Sequence, residues 1–171
     1  MKYGTMSQIF KGEKILMIQK TKREGDPNSG FYTLPGGKLK ESEKGGNPEG
    51  RLESAIRETR EETGLIMVNP LMRGVILFDN EGRDFPNWPD PDNFLVYIYS
   101  SFEQQGNLKK RTGEGRPVWV CKSEISNLPQ NPGDKMMYEW LKIPNFFAGV
   151  IKHKGNELDK EHTFIDYYNI L

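Results

Sequence analysis

Between residues 49 and 65 the chain reads EGRLESAIRETREETGL, with Glu58, Glu61 and Glu62 crowded ahead of Gly64. At about 100° per residue on a helix, these three stand at i, i+3 and i+4. Their carboxylates then share one stripe within a single turn. Like charges so placed weaken a helix by a few tenths of a kcal/mol, and acids near a C-terminus also oppose the helix dipole. A divalent cation reverses that sign, and Mg²⁺ in particular takes carboxylate oxygens, water and substrate phosphates in octahedral geometry. The alternative is a solvated face on which Arg57 and Arg60 offset the repulsion. On the same wheel Arg57 meets Glu53 four residues before it and Glu61 four residues after it. Leu52, Ala55, Ile56, Thr59 and Thr63 form the stripe expected to be buried, and Gly64 suits a left-handed helix end.

Upstream stands LPGGKL, residues 34–39. Paired glycines let a backbone approach a phosphate or metal closely, and Lys38 adds a cation for phosphate. Alone, Pro-Gly-Gly is a common turn; beside the acidic triplet it points toward phosphate and metal chemistry.

The rest of the composition narrows the class. At 171 residues the chain is expected to be a single domain with a hydrophobic core. Lys plus Arg and Asp plus Glu number 24 each, so the basic excess of a polymeric nucleic-acid binder is missing. No apolar run reaches the length of a membrane span, and the first residues, MKYGTMSQIF, lack a signal-peptide core. A cytoplasmic location is the expectation. One cysteine, Cys121, and two histidines, His153 and His162, are too few for a thiolate or imidazole metal centre, so any metal should be hard and oxygen-bound.

The elements that must position these groups follow from periodicity. Strands are expected on both sides of Lys11–Gly12–Glu13, in FYTLPGGKL, LMRGVILFDN, NFLVYIYSSF and RPVWVC, and as a closing pair around Lys154–Gly155–Asn156. One helix should run from Glu49 or Gly50 to Thr63. A second should begin near Asp134 and stop by Pro144. Strands and helices intermix, so the expected fold class is α/β, a sandwich about a mixed sheet.

These residues resemble the Nudix hydrolases, whose signature is Gly-x5-Glu-x7-Arg-Glu-U-x-Glu-Glu-x-Gly-U, with U apolar. Gly37-x5-Glu43 matches the first part and RETREETGL, Arg57 to Leu65, the second. Two departures stand out. Thirteen residues separate Glu43 from Arg57 where the motif has seven, so either the loop is six residues longer or Glu49 holds the first glutamate position. Thr59 also stands where an apolar residue is expected. The resemblance implies an α/β/α sandwich and hydrolysis of a nucleoside diphosphate linked to another group. It implies that Glu58, Glu61, Glu62 and the Gly37 carbonyl bind Mg²⁺ or Mn²⁺, that Arg57 orients the glutamates, and that Glu58 accepts a proton, with Glu61 or Glu114 behind it.

The C-terminal half, in GEGRPVWVCKSEISNLPQNPGDKMMYEWL and FFAGVIKHKGNELDKEHTFIDYY, resembles the branch that hydrolyses oxidised purine nucleoside triphosphates such as 8-oxo-dGTP. In that likeness Glu114 adds a metal-site carboxylate; the alternative is a surface acid in a turn. Base recognition would fall on Thr33 and on Gly133–Asp134, where the branch carries an Asn and two acids. Asp134 reads equally as the N-cap of the second helix. Among the aromatics, Trp119 reads as core, and Trp88 as either a pocket lip that stacks a base or a loop anchor. The implied reaction yields a nucleoside monophosphate and pyrophosphate from a small-molecule nucleotide. The alternatives are ADP-ribose or a dinucleoside polyphosphate as substrate, and a non-catalytic nucleotide sensor on the same fold.

Overall fold

A computed structural model describes residues 1–24, 28–40, 49–80 and 93–168. Its elements run β1 (Lys2–Lys11), β2 (Lys14–Lys20), β3 (Tyr32–Thr33), β4 (Gly36–Lys38), α1 (Arg51–Thr63), β5 (Leu65–Val68), β6 (Leu71–Asp79), β7 (Phe94–Ser101), β8 (Glu103–Gly106), β9 (Gly115–Cys121), a 3₁₀ turn (Ile125–Asn127), α2 (Pro132–Trp140), β10 (Phe147–Lys154), β11 (Glu157–Leu158) and β12 (Phe164–Tyr168). The large sheet has the order β11-β10-β6-β7-β1-β2-β3, with β12 on β10, β4 on β1 and β9 on β2. β1 with β7 and β6 with β10 are parallel, and the other pairs are antiparallel. β5 and β8 make a separate ribbon.

Strand alternation divides the interior into two cores. Along β2, Ile15 and Met17 join Ile76, Ile98, Met137, Trp140 and Phe147 on the α2 side. Leu16 turns the other way and joins Ile9, Ala55, Leu65 and Tyr97 under α1. The expected α/β/α sandwich about a mixed sheet is therefore observed.

What positions the acidic helix is a gap in the sheet. β1 pairs with β2 only through Phe10 and Lys11, at the hairpin end. Its earlier residues, Gly4 to Met6, pair instead with β4. The Gly-Gly segment is thus inserted into the sheet directly beneath α1. A Cβ on Gly36 would overlap the Thr5 carbonyl and lie 2.9 Å from Met6 Cα. Both are backbone atoms that cannot rotate away. Gly36→Ala is expected to cost about 1–3 kcal/mol, the usual range for overpacking, read as a lower urea midpoint at unchanged slope. An unchanged midpoint would refute the close approach.

Several expectations shift. Leu52, expected in the buried stripe, is 42% exposed, whereas Glu62, expected on the acidic stripe beside it, is 5% exposed. The seam runs through Ser54, Ala55, Thr59, Glu62 and Thr63; four of the five are small, which lets α1 lie close to β4 and turns the end of the acidic stripe inward. Thr59 at the apolar motif position is fully buried. α1 ends at Gly64, whose φ is 82° and whose N–H donates to the Arg60 carbonyl. α2 starts at Pro132 with Asn131 as its N-cap, so Asp134 lies inside the first turn and is not the cap. The helix also ends at Trp140, four residues ahead of Pro144. β5 and β8 were not anticipated, since Glu103–Gly106 carries no apolar alternation. Trp119 is half-buried against the α1-side core, with the Lys11 ammonium 5.7 Å from its ring centre. Among the described residues no helix is long and apolar enough to cross a membrane.

Candidate active site

The last two turns of α1 face β4 across a cleft of about 780 Å³, lined by Gly36, Gly37, Lys38, Glu58, Glu61, Glu62, Lys20 and Glu114 among others. Each acid is held differently. Glu62 is buried and its Oε2 accepts the Gly36 N–H at 2.8 Å. Burial pushes its pKa up to about 7, against the pull of Lys20 and the Gly36 amide and with a further push from Glu58 and Glu114. Glu58 lies flat against the strand: a Cβ on Gly37 would sit 2.5 Å from its carboxyl carbon. Its Oε1 accepts Arg57 Nη1 at 2.6 Å. The Glu61 carboxylate is more than half exposed and accepts the same nitrogen at 3.2 Å.

Arg57 is the hub of this arrangement. It donates from Nε and Nη2 to Glu49 Oε1 and Oε2 at 2.5 and 2.9 Å, the forked geometry that fixes a guanidinium plane. Nη2 also reaches the Lys38 carbonyl at 3.3 Å. The bonds from Arg57 hold Glu49 at a pKa of about 2, despite its burial. The same bonds raise the Arg57 pKa above its ordinary value. Glu49, rather than the expected Glu53, therefore joins Glu58 and Glu61 as an acidic partner of Arg57. The spacing Glu49-x7-Arg57 was visible in the sequence and places the added residues between Gly37 and Glu49. Glu43, the other reading of that motif position, lies outside the described residues.

Lys20 was missed. The antiparallel register of β2 with β9 sets Lys20 opposite Gly115, which brings its ammonium 3.0 Å from Glu114 Oε2 and 4.0 Å from Glu62 Oε1. Glu114 is thereby tied into the cleft, its pKa lowered chiefly by the Lys20 hydrogen bond. Nothing local in the sequence marks a lysine at a strand end. Phe94 flanks the cleft with the Lys38 ammonium 5.6 Å from its ring centre.

A second hollow of about 220 Å³ adjoins the cleft, sharing Met6, Lys20, Asn28 and Gly36 with it. Thr33 and Asp134 meet there, with Phe31, Gly133 and the fully buried His153. A Cβ on Gly133 would fall 2.8 Å from the His153 ring. The imidazole thus occupies the room that an acid at 133 would need, and His153 is a second residue the sequence did not single out. Trp88 lies outside the described residues.

Among the described residues no three carboxylate, imidazole or thiol groups form a ready-made metal shell. The surroundings nevertheless suit a hard cation. The convergent donors are all oxygens, Glu62 is a buried acid, and the Lys20 ammonium already stands between Glu62 and Glu114 as a cation would.

Comparison with known proteins places this geometry. The NUDIX domain family model matches residues 6–141. An uncharacterized Nudix hydrolase of Bacillus subtilis, YvcI, is 29% identical over 129 residues, covering 75% of this chain and 72% of its own. The crystal structure of a MutT protein from Bacillus halodurans superposes with a TM-score of 0.76 at 26% identity, covering 97% and 98% of the two chains. The NUDIX domain of Shewanella oneidensis NrtR, solved with ADP-ribose, shares the fold at a TM-score of 0.61 and 14% identity, over 82% of this chain and 86% of its own.

Proposed function

The chain belongs to the Nudix hydrolases, pyrophosphohydrolases acting on acid anhydrides, and on that premise we propose that it cleaves a purine nucleoside triphosphate to the monophosphate and pyrophosphate with Mg²⁺. In this reading residues 1–171 act as one domain, and the substrate is a small-molecule nucleotide, 8-oxo-dGTP or a related purine. The observation that carries it is the convergence of Glu58, Glu62 and the Gly36–Gly37 backbone at one end of a cleft whose side opens into a hollow lined by Thr33 and Asp134.

Glu58, Glu61, Glu62, Glu114 and the Gly37 carbonyl would hold the cation, with Mn²⁺ as the other candidate. When bound, it neutralises pyrophosphate charge and acidifies a coordinated water. Arg57 keeps Glu58 pinned through Oε1, which leaves Oε2 to accept the proton of the attacking water. Lys38 lies at the cleft for the phosphates. Thr33 and Asp134 read the base, and Trp88 is the remaining candidate for stacking it. A hydroxyl at 33 and a single acid at 134 give fewer fixed hydrogen bonds than the Asn and two acids of the 8-oxo-dGTP branch, and such groups set discrimination between bases.

Pyrophosphate release from dGTP, 8-oxo-dGTP, dATP, ADP-ribose and diadenosine tetraphosphate, each with Mg²⁺, tests the reading. A purine triphosphate is expected to be the preferred substrate. Cleavage of ADP-ribose or the dinucleoside polyphosphate alone would overturn the triphosphate assignment, and no turnover at all would favour a sensor. Ligand-free protein should also gain thermal stability from Mg²⁺, by about 2.7 kcal/mol at a hundred times Kd. A Tm indifferent to Mg²⁺ and Mn²⁺ would remove the metal site.

A further inference from the structure

We infer that Lys20 is a built-in counter-ion, which holds Glu62 and Glu114 in the metal-free protein and must be displaced before a divalent cation can load the site. The inference rests on the metal site proposed above and extends it to what controls its occupancy.

The contact is set by the backbone. The Lys20 N–H donates to the Phe31 carbonyl at 2.9 Å, and the Thr21 N–H donates to the Glu114 carbonyl at 3.2 Å. β2 thus fixes Lys20 beside the residue it pairs with, and Gly115 stands opposite it in β9. A Cβ on Gly115 would lie 2.9 Å from the Gln19 carbonyl carbon and 3.0 Å from Lys20 Cα, so the close approach needs that glycine. The Lys20 side chain is 19% exposed, with its ammonium 3.0 Å from Glu114 Oε2 and 4.0 Å from Glu62 Oε1.

The other charges of the cleft are engaged elsewhere. Arg57 holds Glu58 and Glu61. The Lys38 ammonium lies over the Phe94 ring, and Arg23 Nη2 donates to the Gly113 carbonyl. Among the described residues, Lys20 is the cation in contact with Glu62 and Glu114. An ammonium and a divalent ion cannot share one pair of carboxylates. Even two unit charges about 4 Å apart near a protein surface repel by several times the thermal energy. Lys20 lines the side hollow as well as the cleft, so its flexible stem can swing aside while β2 stays in place. Pairing with Lys20 spares the empty site the repulsion between its acids, and it weakens metal affinity. The site therefore fills at a higher Mg²⁺ concentration than its oxygens alone would set.

Calorimetry of Mg²⁺ and Mn²⁺ binding at pH 8, without nucleotide, tests this on the wild type, Lys20→Met and Lys20→Arg, with Lys20→Gln as a second neutral variant. The neutral variants should bind metal about tenfold or more tighter, one power of ten in Kd, and should melt at a lower Tm than wild type when metal is absent. Lys20→Arg keeps the charge and should stay near the wild-type Kd. Adding Glu114→Gln to Lys20→Met should give back most of the gain, because it removes one of the carboxylates set free. An unchanged or weaker Kd in the neutral variants, with normal binding by wild type, would overturn the counter-ion and leave the metal site standing. Equal tightening in Lys20→Arg, or a gain that survives Glu114→Gln, would overturn it too. No binding by any of the proteins would remove the metal site itself, and this inference with it.

Discussion

Glu58→Gln is expected to lower kcat by about 10³-fold, within the range contributed by a positioned general base. Glutamine preserves the volume but removes the proton acceptor. The Glu58 side chain packs closely on the strand, its carboxyl carbon only 2.5 Å from where a Gly37 Cβ would be. Glu61, more than half exposed, cannot reach that position without leaving Arg57. Glu62→Gln should be at least as damaging to turnover, but with the opposite signature in stability. Glu62 is buried, and its pKa stands near 7 against an ordinary 4.5. Folding therefore favours its protonated form. The resulting destabilisation is absent below the unfolded pKa and complete once the pH passes the folded one. At pH 8 without metal, the neutral amide should leave the protein as stable as wild type or more so, while Mg²⁺ no longer raises its Tm. Such a split between stability and function is characteristic of an acid kept for chemistry. Near-normal turnover in either variant would remove that residue from the mechanism. Inactivation matched by unfolding would reassign it to the scaffold.

The acidic end of α1 was legible because helix periodicity is local: spacing alone put Glu58, Glu61 and Glu62 on adjoining faces. The Gly-Gly strand was legible for a similar reason, as its neighbours carry the turn and phosphate signals. Depth was not legible. The helix wheel cannot tell which side of a small-residue seam faces the sheet: Leu52, expected in the buried stripe, is exposed, and Glu62, expected on the acidic stripe beside it, is buried. Long-range pairing was equally hidden. Lys20 and Glu114 are 94 positions apart and meet only through the β2–β9 register. The polar β8 strand is defined by its partner β5 rather than by its own residues. His153 reaches the side hollow because Gly133 lacks a side chain, a complementarity between β10 and α2 that no local pattern announces. The sequence did contain Glu49-x7-Arg57, but it offered Glu43 and Glu49 on nearly equal terms. The forked hydrogen bonds from Arg57 support Glu49.

That pair sets the second large effect. Glu49→Gln is expected to destabilise the protein by about 1–3 kcal/mol at pH 7, up to the free energy of a pKa held near 2 rather than 4.5, reduced by solvent screening. Glu49 is only partly buried, so solvent screening reduces the full electrostatic value of the contact. The sign follows from a lowered folded pKa. The stabilisation is complete above the unfolded value of 4.5 and disappears as the pH falls through about 2. Wild-type stability should therefore decline from pH 5 to pH 2 more steeply than that of Glu49→Gln, and the two curves should converge at the acid end. Urea unfolding at pH 7, 5, 3 and 2 would show it; parallel curves would mean that Glu49 carries no such charge dependence. Activity should report the same contact by another route. Glutamine keeps one acceptor for Arg57 but loses the two-oxygen fork, so the guanidinium can rotate and release Glu58. The consequence is a fall in kcat at nearly unchanged KM, as expected for a positioning contact that matters in the transition state. A rise in KM alone would instead place Glu49 among the groups that bind substrate.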